Sequence, residues 1–319
     1  MDYIVLDLEW NQALHANEAK SMQFEIIEIG AVKLNYNLVE TGRFNRLVKP
    51  SVYKKMNPII GEITGIKERD FSKEKGFVTV INDFLEWCGD DYIICTFGSQ
   101  DIHEIEMNMI YHNCSIPWSF PLKYIDVQRI FGIEHNDEFD QRSLEMVSIF
   151  MGIKQQNAYH RALNDALYTA EIMRKMNKEN LLKYQSVDYA NLPLSKKEEV
   201  EIDCGNHFQY ITREFNKKED LLNYSDLYIT RCPVCKKKCR KKIRWFSDTT
   251  KYLCAARCEV HGMIEGIINI KKQYNGNYYG VRKTSSMDED KFMAIIKRKE
   301  LLREKRRIKR QKEKKNKEV

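Results

Sequence analysis

The chain has 319 residues, of which 43% are hydrophobic and 11% aromatic, enough for a substantial core and for two domains. No apolar run approaches the roughly 18 residues of a membrane-spanning helix, the N-terminus lacks the basic flank and cleavage site of a signal peptide, and the scattered cysteines do not suggest a disulfide framework. The net charge of +7 is uneven: residues 1–180 carry 19 basic and 27 acidic side chains, residues 181–319 carry 34 and 19, so one part suits holding a polyanion and the other working on it.

In chain order, YIVLDLEW (3–10) reads as a buried strand, EIIEIGAVKLN (25–35) as a second and TGRFNRLVKP (41–50) as a third, with links short enough for an antiparallel meander. GFVTVINDFLEWCG (76–89) has helical periodicity, DYIICTFG (91–98) is an apolar strand and DIHEIEMNMIYHN (101–113) an amphipathic helix. LKYIDVQRIFG (122–132) is expected as a short strand, followed by a helix that Gly152 ends. Strands followed by strand–helix alternation predict a mixed α/β sheet covered by helices.

Within this frame Asp7 and Glu9 alternate with Leu6 and Leu8, so both carboxylates leave one face of the first strand. Neighbouring carboxylates on an apolar strand repel each other and resist desolvation, and a divalent cation is the usual reason to place them there. In YHRALNDALYTAEIM (159–173), Ala162, Leu163, Ala166, Leu167 and Ala170 form an apolar helical face. Asp165 falls in the early turns of that helix, with His160 ahead of it and free to swing toward the same cleft. Asp101 follows on the strand YIICTFG, where a helix cap and a metal ligand are both open readings; Asp126 is a further candidate for which capping serves as well.

Together DLE, EIIEIGAV, FGSQD and HRALND, with NPIIGEITGI and FPLKYIDVQRIF, resemble the DnaQ-like 3′–5′ exonucleases over about residues 1–178. The histidine five residues before the last aspartate resembles the DEDDh subgroup, and the sequence is closest in tone to its stand-alone exoribonuclease branch. Trp10 departs from the small residue or Thr that many members carry after the glutamate, which leaves substrate choice open. The resemblance implies a ribonuclease H-like fold with two Mg²⁺ or Mn²⁺ ions. Asp7, Glu9 and Asp165 would be direct ligands, Asp101 would hold the second ion directly or through water, and His160 would be the general base. It also implies nucleoside 5′-monophosphate products, released one at a time from a 3′ end of single-stranded RNA or DNA, with RNA favoured. A DNA-directed repair or proofreading exonuclease and a retired nucleic-acid adaptor are the rivals.

Further on, Pro193, Ser195 and a charge run suggest a linker over 181–207. Cys232-x2-Cys235 and Cys258-x2-His261, separated by 22 residues, have the spacing of a structural zinc site and resemble a zinc ribbon, with Cys239 and Cys254 as competing ligands. Lys236 to Arg244, followed by Trp245 and Phe246, offer cations beside aromatics expected to be exposed. From 297 to 319 there are 13 basic and 4 acidic residues, a run that reads as a fraying helix or disordered arm for polyanions such as structured or ribosomal RNA. The expected organisation is an exonuclease domain (1–180), linker, zinc-ribbon domain (208–285) and basic tail (286–319), in the cytoplasm and away from membranes.

Overall fold

A computed structural model describes residues 1–14, 22–135, 142–189, 191–273 and 275–315, which form two compact units, Met1–Asn191 and Leu192–Val319. The first unit is built on β1 (Asp2–Gln12), β2 (Phe24–Leu34), β3 (Glu40–Leu47), β4 (Tyr92–Thr96), β5 (Lys123–Asp126) and β6 (Ser186–Val187), in the sheet order β3-β2-β1-β4-β5-β6. Pairing is antiparallel from β3 through β1, parallel from β1 through β5, and antiparallel again at β6. This is the mixed α/β sheet that the strand pattern predicted, in the ribonuclease H-like form that the family resemblance implied.

Helices cover both faces, which is why β2 is buried almost throughout and reads as a near-continuous apolar run. After a short α1 (Pro58–Thr64), α2 (Phe77–Cys88) and α3 (Gln100–Tyr111) pack on one face against Ile4, Leu6 and Leu8. α2 presents Phe77, Val80, Ile81, Phe84 and Cys88 at helical spacing and stops at Gly89, whose φ of +77° suits glycine. On the other face Tyr3 and Val5 pack against α6 (Ala162–Lys175) through Ala166, Ala170 and Met173. Three small residues, Ala162, Ala166 and Ala170, let this helix lie close to the sheet. Asp7 and Glu9 follow Tyr3 and Val5 in the alternation, so they leave β1 on the α6 side.

LKYIDVQRIFG is only partly strand. Its first half is β5; from Val127 it turns into α4 (Val127–Glu134), because the Asp126 carboxylate accepts the Arg129 amide at 3.0 Å and starts a helix. α5 (Leu144–Phe150) precedes Gly152 as expected. The stretch 181–207 is not a bare connection. It holds the end of α7 (Lys178–Lys183), the edge strand β6 and, in the second unit, β7 (Glu201–Asp203). Val187, Leu192, Ile202 and Cys204 are buried, and this apolar content outweighs the local Pro and charge signals.

The second unit is a six-stranded antiparallel sheet with β8 (His207–Ile211), β9 (Arg240–Asp248), β10 (Lys251–Cys258), β11 (Gly262–Lys272) and β12 (Tyr278–Ser286), in the order β7-β8-β12-β11-β10-β9. It is wider than the three strands of a minimal ribbon. A short helix α8 (Lys218–Leu222) packs Leu221 into its core, and α9 (Glu289–Lys315) carries most of the basic tail, whose last residues, 316–319, lie outside those described. Among the described residues no helix is long and apolar enough to cross a membrane.

Candidate functional site

Asp7 stands opposite Gly30 in the β1–β2 ladder, and Glu9 opposite Glu28. A Cβ on Gly30 would meet the Leu163 amide nitrogen at 2.1 Å and the Ala162 carbonyl carbon at 2.2 Å, so only glycine lets the first turn of α6 sit directly on the strand beside Asp7. Glu28 fixes the same turn from its other side. Its carboxylate accepts from Arg161 Nε and a terminal guanidinium nitrogen at 3.0 and 2.8 Å, and from the Ala162 amide at 3.2 Å. The result is that carboxylate oxygens of Asp7, Glu9 and Asp165 come within 4.8 Å of one another.

The two oxygens of Asp165 have separate surroundings. Oδ2 accepts the His160 backbone amide at 3.0 Å, while Oδ1 is buried without a hydrogen-bond partner. His160 itself is exposed, at φ +63°, with its imidazole unbonded among the described residues. The loop before it is tied to α6 by the Tyr168 hydroxyl, which donates to Asn157 O and accepts from Asn157 N, and by Asn164, which donates to Ala158 O. Asp101 comes from α3 and lies 6% exposed at the end of the strands. β4 pairs with β1 only as far as Val5, so the Leu8 amide has no partner in the sheet, and Asp101 Oδ1 accepts it at 3.1 Å. Asp126 is a helix cap that also accepts the Gly98 amide. The structure thus gathers Asp7, Glu9 and Asp165, sets Asp101 and His160 at their margin, and leaves Asp126 in a structural role.

Such packing of acids is electrostatically costly. Burial, reinforced by the surrounding carboxylates, raises Asp7 well above the usual range and lifts Glu9 to about 8. Burial likewise raises Asp101 to about 7, against the Leu8 amide, and Asp165 to about 6, against the His160 amide. Hard oxygen donors, mutual repulsion and an orphaned buried oxygen on Asp165 all fit divalent cations of the Mg²⁺ or Mn²⁺ type.

The sequence patterns did not single out Glu28, Gly30 or Arg161. The signal was there in EIIEIGAVKL: an acid and a glycine inside a strand otherwise rich in large aliphatics, which points to a buried ion pair and to close backbone approach.

In the second unit Cys232, Cys235, Cys258 and His261 converge. The Cys232 Sγ and Cys258 Sγ atoms lie 3.5 and 3.6 Å from His261 Nδ1, and Cys235 Sγ lies 3.6 Å from Cys258 Sγ. Ligand bonds of about 2.3 Å to sulfur and 2.0–2.1 Å to nitrogen give a tetrahedron with edges of about 3.5–3.8 Å, so the four donors are compatible with zinc. Amides of His261 and Val260 on the Cys258 sulfur lower its thiol to about 6. Lys236 at φ +61° and Gly262 at φ +79° close the two tight turns. Cys239 packs beside the cluster and Cys254 lies on β10 bonded to Thr230, both outside the four. Trp245 is not an exposed stacking face: its indole donates to Tyr228 O and lies over Gly266.

Comparison with known proteins places this geometry. The exonuclease family model matches residues 4–173. DNA polymerase III subunit epsilon of Aquifex aeolicus is 30% identical over 194 residues, which cover 60% of this chain and 87% of that protein. The 3′–5′ exoribonuclease 1 of Rattus norvegicus is 23% identical over 184 residues, 55% of this chain and 53% of that protein, so the chain spans about half of that relative's length. Among solved structures, the nuclease domain of 3′hExo, a DEDDh family member, superposes with a TM-score of 0.50 at 18% identity, covering 59% of this chain and 96% of that one. Cell-death related nuclease 4 superposes with a TM-score of 0.50 at 20% identity, covering 62% and 73%. The chain therefore belongs to the exonuclease family, as a DnaQ-like 3′–5′ exonuclease of the DEDDh type.

Proposed function

We propose that this enzyme removes nucleoside 5′-monophosphates from the 3′ end of single-stranded nucleic acid, RNA in preference to DNA, with two Mg²⁺ or Mn²⁺ ions. The observation that carries this reading is the convergence of Asp7, Glu9 and Asp165 with a buried, unpartnered Asp165 oxygen. Bound ions of this kind stabilise the attacking and leaving oxygens of a phosphodiester. Asp7, Glu9 and Asp165 would hold them, and Asp101, tethered by the Leu8 amide and near enough to raise Asp7, would complete the acidic set. Arg161, clamped by Glu28, keeps the turn before α6 in register. The exposed imidazole of His160 accepts the proton of the attacking water, and its backbone bond to Asp165 couples the base to the metal-holding acid. The name of the rat exoribonuclease relative supports RNA as substrate, whereas the Aquifex relative belongs to a DNA polymerase.

The second unit, with one structural Zn²⁺ and a strongly basic surface, holds the strand while the first cuts it; cysteines that form no disulfide among the described residues support a reducing, cytoplasmic setting. Matched single strands of RNA and DNA, labelled at the 3′ end, test the proposal with Mg²⁺, Mn²⁺ or chelator present. Metal-dependent release of labelled mononucleotide, faster from RNA, is expected. Faster release from DNA would overturn the RNA reading, and no release from either would favour an adaptor.

A further inference from the structure

The basic tail is not a free arm as far as Arg306. Phe292, Ile295 and Ile296 of α9 pack onto Ile243, Ala255, Met263 and Met287. Arg298 donates from two nitrogens to Asp248 Oδ1 at 2.9 and 2.6 Å, and about two turns of helix further on Arg306 adds a second attachment, donating to Ser247 O at 2.8 Å. The helix is therefore pinned beside the end of β9, which is the edge strand of its sheet.

Along this seam an open groove of about 570 Å³ is lined by Phe246, Lys299, Leu302, Arg303, Arg306 and Arg307. Among the described residues no carboxylate lines it, and Glu300 and Glu304 are not part of its lining. Among the described residues Lys299, Arg303 and Arg307 have no acidic partner; Lys299 sits over the Phe246 ring at 5.8 Å. Lys299, Arg303 and Arg307 recur every four residues, which places three uncompensated cations about 6 Å apart along one side of the helix. An aromatic face half-buried at the floor, apolar Leu302 beside it and a row of cations on the wall match a strand that lays its phosphates along the helix and one base on the ring.

We propose that the α9–β9 groove is a binding site for single-stranded RNA or DNA, separate from the carboxylate centre, with Phe246 as its stacking residue and Lys299, Arg303 and Arg307 as its phosphate contacts. An acidic peptide would answer the charges but has no use for the ring. The proposal rests on the nucleic-acid reading above, but its test does not depend on hydrolysis.

The full chain is titrated by fluorescence anisotropy with a labelled 20-nucleotide single strand in chelator, so nothing is cut, over a range of salt. Lys299→Ala/Arg303→Ala/Arg307→Ala should flatten the plot of log affinity against log salt by about 2, at about 0.7 per phosphate contact. Phe246→Leu keeps an apolar plug under α9 but lacks a stacking face, and should weaken binding about 5- to 100-fold while Phe246→Trp retains it. Release of nucleotide from a saturating tetranucleotide should be unchanged in all variants, because the groove is not catalytic. An unchanged salt slope in the triple variant, wild-type affinity in Phe246→Leu, or equal affinity for a 20-residue glutamate peptide would each overturn the proposal. A chain that binds as described but cuts nothing would leave the groove standing and sink the exonuclease reading.

Discussion

Replacing Gly30 by alanine should disable the enzyme through a single methyl group. The added Cβ would lie 2.1 Å from the Leu163 nitrogen, where ordinary contact begins at 3.4 Å, and all three nearest atoms are backbone. No side chain can swing aside, so the first turn of α6 must retreat by about 1.3 Å. That turn carries Asp165, and it is held on the other side by Glu28. Asp7 sits opposite Gly30 and stays with the sheet, so the carboxylates separate. Misplacing reacting groups by about 1 Å costs on the order of 10²-fold in rate, and overpacking costs about 1–3 kcal/mol of stability. For a unit of this size, such a loss lowers Tm by about 2–12 °C. The assay is single-turnover release of nucleotide from a 3′-labelled oligonucleotide at 25 °C, with circular dichroism to show that the variant is folded. Strand affinity in chelator should be unaffected. A Gly30→Ala enzyme within twofold of wild type would refute the claim that close approach of α6 builds the site.

Three further outcomes follow from the same geometry. The raised values of Glu9, Asp101 and Asp165, about 8, 7 and 6, mean that the metal-free fold binds more protons than the unfolded chain. These groups thus favour folding fully below about pH 4, and that stability is lost as pH rises through 6 to 8. Glu9→Gln should reduce this loss and stabilise the metal-free protein at pH 8 by about 1–2 kcal/mol, well under the roughly 1.4 kcal/mol per unit of its whole shift, because the cluster shares protons. Denaturant melts with and without Mn²⁺ check this, and equal pH slopes for both proteins would contradict it. His160→Ala should lose about 10²–10⁴-fold in rate yet remain metal-dependent and recover partly at high pH, whereas Asp7→Ala should lose several orders of magnitude more; pH–rate profiles separate the two. Elemental analysis should find one zinc per chain, and Cys258→Ser should lose it and unfold the sheet around β9–β11 while the first unit's melting transition stays in place. A zinc content unchanged by that substitution would remove Cys258 from the ligand set.

Local patterns already determined much of this protein. Alternation in YIVLDLEW puts Asp7 and Glu9 on one face because side chains on a strand repeat every second residue, and β1 obeys it. The alanine-rich face of residues 162–173 specified α6, and the paired Cys-x2-Cys and Cys-x2-His turns specified the second cluster, because a short turn constrains its own two ligands. Other features depend on atoms distant in the chain. Glu28 acquires its purpose only when Arg161 arrives 133 residues later, and Asp101 only because β1 outruns β4 and leaves the Leu8 amide unpaired. Trp245 and Phe246 are neighbours with equal claim to stacking, yet alternation across β9 turns one into the core over Gly266 and the other toward α9. Spacing within a segment fixes which side chains share a face; what that face meets is set by long-range packing, and there the exonuclease site was completed.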